Sequence, residues 1–163
     1  MMQTDVNSTH IMVGTSGLVF GGRTRLKGAV VSNTTSGTPA NVAFANNVNV
    51  TGGTYSVTST TCTVTVSAGH GLVSGNRVLL VFTTGGANTS PYTVTVSSST
   101  VFTVTVATGS QSGNVTIYPN ILMEVDITNS VPVSITVPGE GIVFPNGIYC
   151  GVPTNIAATV FYG

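Results

Sequence analysis

The stretch Thr61-Cys62-Thr63-Val64-Thr65-Val66-Ser67 alternates polar and apolar residues without interruption. Tyr92-Thr93-Val94-Thr95-Val96-Ser97 and Val101-Phe102-Thr103-Val104-Thr105-Val106 repeat the pattern. Successive side chains of an extended chain point to opposite faces, so period two separates a threonine face from an apolar face. Such strands are half-buried and antiparallel. Branching at Cβ restricts Thr and Val at χ1 and favours the pleated strand over the helix. Turn clusters punctuate the runs at Ala68-Gly69-His70-Gly71, Thr83–Asn88, Ser97–Thr100 and Gly109–Gly113. The spacing predicts strands at about 55–58, 61–67, 76–82, 92–97, 101–107 and 113–118. Six short strands with turns this frequent make a small antiparallel sandwich or barrel.

Outward from this Thr/Val-rich core, residues 18–50 and 119–163 are less repetitive and richer in Ala, Asn, Pro and Ile. They predict strands at about 23–32, 40–46, 121–128, 132–137, 141–144, 147–150 and 157–162. Neither flank alone holds enough strands for a sheet with a covered face. The expected fold is therefore all-β: a discontinuous outer β-sandwich, 18–53 plus 119–163, with a Thr/Val-rich β module, 54–118, inserted in it. The boundaries are expected near Gly52-Gly53 and Pro119-Asn120. Residues 1–17 are polar, lack periodicity and end in Gly14-Thr15-Ser16-Gly17. They read as a flexible N-terminal arm, either a disordered tail or a segment that orders on a neighbouring subunit. They show neither the basic nor the apolar region of a secretory signal.

The composition narrows the function. Of 163 residues only 5% are charged, against about 25% in an ordinary domain. Four basic residues balance four acids, while Thr and Val number 28 and 27. Phosphate neutralisation needs a broad basic face, so nucleic acid is not an expected partner. Calcium needs several carboxylates in one loop, which are absent. Mean hydropathy is high, +0.43, yet runs such as Val78-Leu79-Leu80-Val81-Phe82 fall far short of the roughly 18 apolar residues of a spanning helix. No membrane partner is expected; a transmembrane barrel would carry aromatic girdles, and the chain has no Trp. A surface this poor in charge tends to associate.

Few residues could carry chemistry. Glu124 and Asp126 share one face of a predicted strand, as do Arg23, Arg25 and Lys27 of another. A cross-strand ladder between the two sets, or a polar interface patch, fits both spacings better than an acid/base pair does. These five residues are the candidate contacts with a partner or a second subunit. His70 sits between glycines in Ala68-Gly69-His70-Gly71-Leu72, with no second ligand at metal spacing. Ser is too abundant for a Ser-His-Asp set to mean anything, and no nucleophile elbow or phosphate loop is present. No enzyme, cofactor or metal is expected. Cys62 and Cys150 read as two free, buried thiols, with a disulfide between them as the competing reading. The dispersed aromatics, among them Tyr92, Tyr118 and Tyr149, read as packing residues.

Two segments carry a resemblance. Arg23-Thr24-Arg25-Leu26-Lys27-Gly28-Ala29-Val30-Val31, Pro138-Gly139-Glu140-Gly141-Ile142-Val143-Phe144, Asn146-Gly147-Ile148-Tyr149 and Thr159-Val160-Phe161-Tyr162-Gly163 resemble stretches of small virion proteins of tailed bacteriophages, notably of marine and cyanobacterial hosts. His70-Gly71-Leu72-Val73-Ser74-Gly75-Asn76-Arg77-Val78, followed by Tyr92-Thr93-Val94 and Phe102-Thr103-Val104, is similar to a β module repeated in phage tail and capsid-appendage proteins. In that module the histidine is a turn residue, so the resemblance implies a structural turn at His70, Gly71 and Gly75; Asn76 stands where Asp is commoner. The resemblance implies a virion structural protein assembled in the host cytoplasm. Within that class the expected role is a capsid decoration (cement) protein, a homotrimer whose partners are the major capsid protein and copies of itself. The alternatives are a head-fibre or tail-fibre adhesin for a host glycan, with its site near Gly85–Ser90, and a tail or neck component.

Overall fold

A computed structural model describes residues 5–35, 39–48, 51–128 and 130–163. The described residues form strands and no helix. The chain divides into two compact units, one made of Met1–Asn47 with Leu122–Gly163 and the other of Val48–Ile121.

The first unit opens with β1 (Asn7–Ile11), β2 (Gly17–Phe20), β3 (Thr24–Asn33) and β4 (Ala40–Asn46). The second contains β5 (Thr51–Val66), β6 (Arg77–Phe82), β7 (Ser90–Thr93), β8 (Thr95–Val96), β9 (Val101–Gly109) and β10 (Ser112–Tyr118). The chain then returns with β11 (Ile121–Ile127), β12 (Val133–Thr136), β13 (Ile142–Phe144), β14 (Ile148–Gly151) and β15 (Ile156–Tyr162).

The first unit is a sandwich. One sheet runs β1-β15-β3-β12, with β13 on the same side of β3 as β12; the other runs β11-β4-β14-β2. Leu26, Val31, Phe44, Phe144, Ile148, Ile156 and Val160 fill the space between them, all fully buried. Along β3 the inward positions are 24, 26 and 28, then 29, 31 and 33. The change of parity coincides with a register shift against β15, where Phe161 faces Gly28 and Tyr162 faces Leu26. A bulge of this kind inserts one extra residue into a strand.

The second unit is one sheet, β7-β6-β10-β5-β9-β8, that nearly closes on itself. Val64, Val78, Leu80 and Phe102 are among its fully buried residues. The threonine face lies outside: Thr61 and Thr65 are exposed while Cys62, Val64 and Val66 are buried. In place of the two expected strands at 55–58 and 61–67 there is a single 16-residue strand, β5. It pairs with β10 through its first half and with β9 through its second. Between the halves Ser59 has φ of 57° and the register shifts, so the strand bends there without ending. The expected strand at 92–97 is instead broken at Val94 into β7 and β8.

The expectation of a flexible arm over 1–17 is corrected. Residues 1–4 lie outside the described residues, but β1 pairs with β15 of the same chain from Asn7↔Tyr162 to Ile11↔Ala158. Ile11 is buried in the sandwich core, and Gly17 opens β2. Two apolar anchors, Ile11 and Val19, hold a segment whose other residues are mostly exposed. Gly52 and Gly53, expected at the domain boundary, lie within β5.

Candidate interaction surface

Arg25 and Lys27 stand on the outward face of β3, alternating with buried Thr24 and Leu26. Arg23 is exposed just before the strand begins. The turn between β12 and β13, Pro138-Gly139-Glu140-Gly141, closes over this row. Lys27 Nζ donates to the Glu140 carbonyl at 3.0 Å and Arg25 Nη1 to the same oxygen at 3.5 Å. Gly139 and Gly141 have φ of 64° and 83°, in the region where a side chain is disfavoured. A Cβ on Gly141 would also strike the Leu26 carbonyl oxygen. Glycine at 141 is thus what lets the turn lie against the basic strand. Beside the row an open depression of about 250 Å³ is lined by Arg23, Thr24, Arg25, Val143 and Gly163.

Glu124 and Asp126 occupy the outward face of β11, while Met123, Val125 and Ile127 face the core. Asn41 on β4 donates through Nδ2 to Asp126 Oδ1 and to Glu124 Oε2, the latter at 3.4 Å. The ladder expected between the acidic and basic sets does not form. β3 and β11 belong to opposite sheets of the sandwich, so their outward rows face away from one another. Strand periodicity tells which residues share a face and nothing about which strands are neighbours.

His70 is held on both ring nitrogens. Nδ1 accepts from the Leu72 backbone N–H at 3.0 Å, which assigns the proton to Nε2, 3.0 Å from the Ser98 carbonyl oxygen. The ring packs edge-on against Phe102, with centroids 5.3 Å apart. Gly71 and Gly75 have φ of 64° and 95°. Asn76 Oδ1 accepts from the Val73 N–H at 2.9 Å, the role Asp would fill in the same turn. These groups are occupied in holding a loop, and no group of three potential metal-ligating side chains occurs among the described residues. Cys62 and Cys150 are free and buried, one in each unit. Burial pushes the Cys150 thiol up to about 12 and Cys62 to about 11.

Two features escaped sequence reasoning. The partnership of Asn41 with the acidic row joins residues more than eighty positions apart. The outward face of the acidic sheet also exposes Leu18 and Leu122, at 50% and 42%. Of these only Leu122 was signalled, by its place in the same alternating row as Glu124 and Asp126. No protein-family model matches the chain, and no curated protein matches it.

Proposed function

We propose that this protein is a structural component of a bacteriophage virion, and within it a capsid decoration protein that binds the assembled head lattice. The observation that carries the reading is the distribution of charge. Arg77 is the sole Asp, Glu, Lys or Arg of the second unit, and every other charged residue belongs to the first. A chain so divided has one unit equipped for oriented contact and one whose outer face is hydroxyl-rich and inert. The segments that resemble phage virion proteins support the same reading, because Pro138–Phe144 supplies the turn and strand beside the basic row. The mechanism is mass action: a protein that binds the assembled lattice and not its separate subunits stabilises the lattice. Burial of apolar surface contributes roughly 25 cal/mol per Å², less the cost of association. Arg23, Arg25 and Lys27 orient a contact against an acidic face of the capsid or of a sister subunit.

The test is the copy number in purified, tail-free capsids. The reading expects the protein there in proportion to the major capsid protein, and capsids lacking it to lose thermal or osmotic resistance. A handful of copies per virion, or unchanged resistance, overturns it. Serine at positions 23, 25 and 27 should lower capsid occupancy.

A further inference from the structure

The two charged rows of the sandwich face opposite ways. The basic row lies on the outer side of the β1-β15-β3-β12 sheet and the acidic row on the outer side of β11-β4-β14-β2. Four of the five side chains are held before any partner arrives, Arg25 and Lys27 by the Glu140 carbonyl and the two carboxylates by Asn41. Holding a polar side chain in place lowers the entropy lost on binding. The basic row borders an open depression with two arginines at its rim. A guanidinium presents paired donors that match a carboxylate. Exposed Asp126 and its neighbour Glu124 are carboxylates carried on a strand face, with Leu122 in the same row to supply apolar contact.

We infer that copies of this chain associate head to tail, the Arg23/Arg25/Lys27 row of one copy against the Leu122/Glu124/Asp126 row of the next. A two-fold contact places a patch against itself. Here that would set cations on cations or carboxylates on carboxylates, which is repulsive. Complementary rows on different faces require the heterologous arrangement, which makes a ring where the rotation closes and an open chain where it does not. Rows on opposite faces of a sandwich favour an open chain or a wide ring over a tight trimer, so the inference goes beyond the decoration reading. The contact itself does not depend on a capsid.

The experiment is sedimentation velocity of the full chain over a concentration series, at about 0.05 M and about 0.5 M salt, where the screening length differs severalfold. The expected result is association at low salt that weakens about tenfold or more at high salt. Two variants sharpen it: R23E/R25E and E124R/D126R, each checked for a native circular dichroism spectrum. Each alone should remain monomeric, and an equimolar mixture should associate, because an intact acidic row then meets an intact basic row. A monomeric parent at low salt, variants that associate as the parent does, or a mixture that stays monomeric overturns the inference. Capsid occupancy is read separately. A monomeric protein that saturates capsids refutes only the head-to-tail contact, and an associating protein that never binds capsids refutes only the decoration reading.

Discussion

Replacing Leu80 by alanine tests whether the two cores are separate energetic units. Leu80 lies in β6, paired with Ile117 on one side and Ser90 on the other, and is fully buried in the second unit. The two cores share no residue. Truncating a fully buried leucine costs its transfer free energy and leaves a cavity, together about 3 kcal/mol. A unit of about 75 residues has a total stability on the order of 4–11 kcal/mol. The substitution therefore removes about a quarter or more of it, and lowers the midpoint of that unit's transition by roughly 12–24 °C. Differential scanning calorimetry should show two endotherms in the parent, of which the variant moves one. The milder Ile148→Val, in the other core, should move the other by roughly 2–12 °C, for a cost of about 0.5–1.5 kcal/mol. A single cooperative transition shifted by both variants would refute the separation, and a shift of a few degrees for Leu80→Ala would refute the packing argument.

Gly85 and Gly86 are adjacent with φ of 86° and 79°, but a Cβ on Gly85 would collide with the Ser112 carbonyl oxygen and Tyr55 Oη, whereas one on Gly86 meets open space. Gly86→Ala should cost about 1 kcal/mol from backbone strain alone and Gly85→Ala about 2–3 kcal/mol or more; equal urea midpoints would contradict the crowding. His70→Ala removes two hydrogen bonds of a partly exposed turn and should cost about 1–2 kcal/mol, with chemical denaturation as the measurement and an unchanged midpoint as the contrary result. Burial raises the folded pKa of Cys150 from 9.0 to about 12, so the stability it contributes is complete below pH 9 and falls as pH rises from there toward 12. A thiol reagent should label both cysteines only in denaturant, and rapid labelling of the native protein near pH 8 would contradict their burial.

The strands of the second unit were legible because Thr and Val alternate there so strictly that burial on one face follows from covalent geometry. The flanks were legible for a weaker reason: β4 and β15 are apolar over most of their length and bounded by Asn, Pro or Gly. β1 was hidden because its outward residues are polar and Ile11 is its sole core residue. The continuity of β5 was hidden because a non-glycine residue, Ser59, takes a positive φ, which nothing in Ser-Thr-Thr announces. For the charged rows, spacing placed Arg25 with Lys27 and Glu124 with Asp126 on shared outward faces, while Arg23 falls just before its strand. Their placement on opposite sheets is a matter of long-range pairing, since β3 is joined to β12, β13 and β15 from the far end of the chain.

The break at Val94 has a consequence for edge-to-edge pairing between copies of the second unit. β7 and β8, the two ends of the six-stranded sheet, are successive pieces of one segment, and the Val94 N–H and carbonyl between them bond to Asn76 and Gly75. The sheet's first and last edges therefore meet in a single stretch of backbone. A unit carrying almost no charge cannot rely on electrostatic repulsion to keep copies apart. Open strand edges are the usual route to aggregation, and curling the sheet round until its edges coincide removes them. Protection of the strand edges in this unit thus comes from topology, where edge lysines are the usual device. An insertion that pried β7 from β8 would expose that liability without altering a single core residue.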